Sequence, residues 1–149
     1  MGASLQSGPL GLDLPLMDDA RAAFTAQLAI ADEADDACLP AAWRDLVARA
    51  AETFAQEDLW MQSTGFSSRK GHMLQHRVVL EVMREGIVQA DEGCLLQVRQ
   101  MLWQLRDWFG KHVQTADAAL ALHLRGARFD PSNAAAGPTC SATGAAAIA

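Results

Sequence analysis

The chain has 149 residues, half of them apolar, which is enough for one domain with a substantial core. Its 12 basic and 18 acidic residues leave a net charge of -6 with no basic run, which argues against a binder of nucleic-acid phosphates. Met1 to Leu16 lacks the basic and apolar regions of a signal peptide, and no stretch reaches the roughly 18 apolar residues of a membrane span. A soluble, cytoplasmic protein with no membrane partner is expected. Cys38, Cys94 and Cys140 are odd in number, widely spaced and without a CxxC, so neither a disulfide framework nor a thiolate metal site is expected.

Residues 1–13, rich in Gly, Ser and Leu, read as an irregular N-terminal arm. A helical period begins at Met17 and carries Arg21, Phe24, Leu28 and Ala31 on one face. The acidic run Asp32-Glu33-Ala34-Asp35-Asp36 marks a loop, and Pro40 suits the first turn of a second helix. The inward stripe of that helix reads Trp43, Leu46, Ala50, Thr53, Glu57 and Trp60 or Met61. A turn at Ser63-Thr64-Gly65-Phe66 leads to a third helix, N-capped by Ser67 or Ser68, with His72, His76, Val79, Met83 and Ile87 on one face. The fourth is predicted from about Asp91 to His123, with Cys94, Val98, Met101, Leu105, Trp108 and His112 in register. Nothing alternates with a strand's period of two. The expected fold is an all-α, up-down-up-down antiparallel four-helix bundle over 14–125. The Ala-, Gly- and Ser-rich segment 126–149 lacks large apolar side chains and is expected to be a disordered tail. Trp43, Trp60, Trp103 and Trp108 are expected to pack, Trp60 or Trp108 near the site described next.

All four predicted helices carry a polar residue at a similar level on the inward stripe: Arg21 on the first, Thr53 and Glu57 on the second, His72 and His76 on the third, His112 on the fourth. His72 and His76 are four apart, so they share a face, and both imidazoles can reach one metal at about 2.0–2.2 Å. Unpaired ionisable groups in an apolar core cost several kcal/mol, so such a set needs a reason. Glu57, His72, His76, His112 and Asp117 together have the composition of a non-haem metal site, iron first and zinc second. Asp117 stands five residues after His112, off its direction on a regular α-helix. It joins the site only if the helix carries a π-type bulge. His123 reads as an exposed residue near a helix end.

These residues resemble the bacterial single-domain form of the hemerythrin family, from about Leu12 to Leu124. Phe54-Ala55-Gln56-Glu57-Asp58-Leu59-Trp60-Met61 is similar to its HFxxExxWM segment, Thr64-Gly65-Phe66 with His72-Met73-Leu74-Gln75-His76 to its turn and HxxxH, Trp108-Phe109-Gly110-Lys111-His112 through Asp117 to its WFxxHxxxxD, and Met17-Asp18 before Phe24 to its MDxxHxxF. The resemblance implies a bundle holding a carboxylate-bridged di-iron centre that binds O₂. His72, His76 and His112 would bind one iron, and Glu57 and Asp117 would bridge. The second iron's histidines fall at Arg21 and Thr53, which supply no imidazole.

Two placements of Arg21 are open. Its guanidinium can replace the lost metal's charge by pairing with Glu57 and Asp117, with Thr53 donating to Glu57, or its long stem can carry it to the surface. Three functional readings compete: a mononuclear iron (or zinc) protein open to O₂, NO or peroxide, a metal-free bundle with a structural or interaction role, and an intact di-iron oxygen binder. No residues single out a reaction, a protein partner or an oligomeric state.

Overall fold

A computed structural model describes residue 12 and residues 14–130. Five α-helical stretches follow one another: α1 (Pro15–Glu33), α2 (Leu39–Ser63), α3 (Arg69–Asp91), α4 (Leu95–His112) and α5 (Ala118–Gly126). A π-helical turn, Val113–Asp117, joins α4 to α5 without a break, so the last two make one rod. Among the described residues there is no strand, and no helix is long and apolar enough to cross a membrane. Consecutive helices pack on each other and α1 also packs on α4, which closes the ring of a four-helix bundle.

Local chemistry sets the ends. Pro15 and Pro40 lie in the first turns of α1 and α2, where a missing N–H is an orphan anyway. Helix α2 ends with Gly65 at φ 65° and the Phe66 N–H donating 3.0 Å back to the Met61 carbonyl. Helix α3 ends alike, with Gly93 at φ 79° and the Cys94 N–H 2.8 Å from the Gln89 carbonyl. Both are Schellman closures, which need a left-handed residue after the helix.

The buried apolar side chains form two clusters. One holds Phe24, Leu28, Trp43, Leu46, Phe54, Met83, Val98 and Leu105, and the other holds Met17, Trp60, Met61, Phe66, Val113, Leu120 and Leu124. Buried polar groups fall between members of the two on two of the rods: Glu57 between Phe54 and Trp60 on α2, and His112 between Leu105 and Val113 on the last rod. Arg21 stands at the same level on α1, between Met17 and Phe24.

Several expectations need correcting. The first helix begins at Pro15, not Met17, and the fourth at Leu95, because Gly93 and Cys94 are spent on the preceding closure. Cys94 is therefore a half-buried cap residue rather than part of a buried stripe. Ser68 occupies the N-cap of α3, but its side chain makes no capping bond. Trp103 is 73% exposed and does not pack, since its position on α4 points away from the core. His123 is half-buried, with Nε2 3.0 Å from the Thr64 hydroxyl and its ring 4.9 Å from that of Phe66. Residues 126–130, assigned to the tail, finish α5 and turn so that the Phe129 ring meets Trp60 at 6.1 Å. The rest of the expected tail, and most of the expected arm, lie outside the described residues.

Trp43 ties α2 to α3. Its indole N–H donates to the Met83 carbonyl at 2.9 Å, and the ring lies over Gly86, where an added Cβ would come within 2.7 Å of it. The N–H bond fixes the ring edge that faces Gly86. Gly86→Ala, which would gain about 1 kcal/mol in an open helix, is therefore expected to destabilise the bundle by about 1–3 kcal/mol in urea denaturation. A more stable variant would show that this contact is slack.

Candidate metal centre

The five residues singled out by the sequence come together. Glu57, His72, His76, His112 and Asp117 are each no more than 5% exposed, and one ligand atom from each lies within 4.8 Å of all the others. The helix spacing explains His72 and His76, one turn apart on α3. The π-helical turn explains Asp117. It widens the backbone spiral, so a residue five after His112 returns to the same side, and Asp117 Oδ1 lies 3.0 Å from His112 Nε2.

Hydrogen bonds on the outer nitrogens decide which atoms face inward. His76 Nδ1 is 2.8 Å from Asp58 Oδ1, and His112 Nδ1 is 2.9 Å from Gln75 Oε1. Both partners are acceptors, so in each neutral ring the proton sits on Nδ1 and Nε2 carries a lone pair. Those two Nε2 atoms face each other at 3.2 Å, and His72 Nε2 is 3.1 Å from that of His112. Carboxylate oxygens join the same point: Glu57 Oε2 at 3.1 Å from His76 Nε2 and Asp117 Oδ1 at 3.1 Å from His72 Nε2.

Lone pairs and anionic oxygens converging in an apolar core repel unless a cation or protons stand between them. Donors bound at about 2.1 Å to one metal would sit about 3.0 Å apart at right angles and about 4.2 Å apart when opposed. The observed separations match that pattern. Glu57 Oε2 and Asp117 Oδ1, both buried, face histidine nitrogens and no other donor of the protein. The donor set fits a divalent metal, with nitrogen and oxygen ligands of the kind iron and zinc accept.

Aromatic rings wall the set. Phe54 stacks flat on His76, with centroids 4.2 Å apart and planes at 5°, and Trp108 stacks on His112 at 4.5 Å and 20°. Stacking fixes ring orientation and keeps water off the donors. Asp58, Gln75 and Phe54 were not legible as part of the site. A signal for the first two lies in the sequence: each immediately adjoins a member of the cluster, Asp58 after Glu57 and Gln75 before His76. A helix turns such a neighbour sideways, toward the next helix's ligand.

Arg21 is not where one reading placed it. Among the described residues Glu57 and Asp117 form ion pairs with histidines alone, and one contact of Arg21 is that of Nη2 with Asp18 Oδ1 on its own helix, at 3.9 Å. Asp18 is one turn away and partly exposed, so this pairing avoids burying a guanidinium. Thr53 is half-buried and makes no hydrogen bond to Glu57.

With this geometry in hand, comparison with known proteins finds a curated bacteriohemerythrin of Ralstonia nicotianae. It is 29% identical over 107 residues, which cover 72% of this chain and 78% of that protein. The chain is similar to that hemerythrin over most of its described length. No family model and no solved structure matches it. The hemerythrin-like bundle and its buried His, Glu and Asp cluster suit a metal-binding protein.

Stripped of metal, the cluster should titrate in a characteristic way. Burial disfavours a charged His72, but hydrogen bonds and charge from Asp117 and Glu57 outweigh it and raise its pKa to about 9. Burial also works against an ionised Asp117, yet His112 and His72 hold its pKa down to about 2. A histidine pKa raised above its unfolded value of 6.5 stabilises the fold fully below that value and ceases to as pH passes 9. Chelator-stripped protein is thus expected to melt at a lower temperature at pH 9.5 than at pH 6.5. Metal-loaded protein should lose this dependence, because binding deprotonates His72. A stripped protein that gains stability at pH 9.5 would contradict the assigned contacts.

Proposed function

We propose that the protein is a non-haem metal-binding protein that keeps one half of a hemerythrin-type centre, holding a single iron (or zinc) ion through His72, His76, His112, Glu57 and Asp117. The observation that carries this reading is the convergence of inward-facing Nε2 lone pairs and buried carboxylate oxygens on one point. Two carboxylates and neutral imidazoles together match the charge of a divalent cation. The second half of the centre is lost, since Arg21 and Thr53 stand where its imidazoles would be and neither offers one.

Bound iron would supply an open coordination position for O₂, NO or peroxide, which supports a binding or sensing role. The chain's own residues act around that position. Asp58 and Gln75 orient two rings, Phe54 and Trp108 exclude water, and the remaining apolar core limits access to small ligands. Beside Trp108 lies an apolar cavity of about 170 Å³, bounded also by Trp43, Val79, Met83, Met101 and Leu105, a medium that favours uncharged diatomics over ions. A metal-free structural role is the weaker reading, because without metal a protonated His72 sets one positive charge against two buried carboxylates.

Metal analysis and the visible spectrum of protein from iron-supplemented cells test the proposal. About one metal per chain is expected, without bands of an oxo-bridged iron pair. Two irons per chain, or none, would contradict it. Arg21→His combined with Thr53→His is expected to raise the stoichiometry toward two. An unchanged stoichiometry would mean that the space for a second ion has closed.

A further inference from the structure

We infer that Asp58 and Gln75 are positioning residues of this centre, which set the ligating nitrogens of His76 and His112 and leave His72 as the least constrained of three unequal donors. The inference rests on the single-metal reading above and adds a ranking that the ligand list alone does not contain.

The three rings differ in what stands behind them. His76 donates its Nδ1–H to a carboxylate, Asp58, at 2.8 Å. His112 donates to a neutral amide oxygen, Gln75, at 2.9 Å. His72 Nδ1 is buried and has no hydrogen-bond partner. An acceptor behind the ring pushes electron density toward Nε2, and an anionic acceptor pushes more than an amide. Donor strength therefore falls from His76 to His112 to His72. Restraint falls in the same order. His76 is stacked on Phe54 and His112 on Trp108, while His72 meets the other two histidines at 65° and 78° and is stacked on neither.

The two supports also form a sequence around the bundle. Asp58 on α2 holds a ligand on α3, and Gln75 on α3 holds a ligand on α4. Each support adjoins a ligand in sequence, so any displacement of one helix is passed to the ligand of the next. Asp58 is the more consequential of the pair, since it brings a third negative charge close to the metal. That charge would favour a higher oxidation state of bound iron.

Zinc titration of chelator-stripped protein against a competing chelator reads the ranking, with ¹⁵N shifts of the histidine rings in the zinc-loaded protein as a second readout. Asp58→Leu is expected to weaken zinc binding roughly 10- to 100-fold. Asp58→Asn, which keeps an acceptor oxygen, should recover most of that loss, and in the iron-loaded protein should raise the reduction potential. Gln75→Leu should weaken binding less than Asp58→Leu. Each Leu variant should shift mainly the ring it supports, His76 or His112. Variants that bind zinc like the wild type, or an Asp58→Asn as weak as Asp58→Leu, would overturn the inference. A wild-type protein that binds neither zinc nor iron would instead sink the single-metal reading on which it stands.

Discussion

The separation of 3.2 Å between the Nε2 atoms of His76 and His112 is the constraint on which the centre of this bundle depends. Asp58 and Gln75 draw the protons of both rings outward, so lone pairs face each other inside an apolar core. Glu57 and Asp117 add oxygen donors at the same point. Without positive charge the arrangement is unfavourable, whereas around a divalent cation every group finds its complement. Protonation of His72 supplies part of that charge when metal is absent, which is why its pKa rises despite burial.

The fold is organised to hold that arrangement. A polar layer crosses the bundle between two apolar clusters, so packing on both sides fixes the rods that carry the donors. The π-helical turn belongs to the same design. A regular α-helix would aim Asp117 away from His112, and the backbone gives up regular hydrogen bonding over Val113–Asp117 to bring the two together. Ring stacking on Phe54 and Trp108 adds orientation that helix geometry alone does not supply.

Much of this was legible in the sequence. Apolar periodicity gave the rods, the HxxxH spacing gave two imidazoles on one face, and the five-residue step from His112 to Asp117 demanded a π turn if both were to serve one site. What escaped depended on the sideways direction of side chains and on competition between partners. Asp58 and Gln75 look like ordinary surface residues until the neighbouring helices are placed. Arg21 has an inward register, yet Asp18 on the same helix offers it a less costly partner than two carboxylates already engaged by histidines. Trp103 was expected to pack from its residue type and His123 to be exposed from its place near a helix end, and the direction each faces on its helix decided otherwise. Neither Arg21 nor Thr53 offers an imidazole, and neither pairs with Glu57 or Asp117.

X-ray absorption at the metal edge of the iron-loaded protein tests the central claim most directly. A single shell of nitrogen and oxygen donors at about 2.0–2.2 Å, with no metal neighbour, is the predicted result. A metal–metal distance of about 3.5–4 Å would contradict it, because the proposed centre holds one ion.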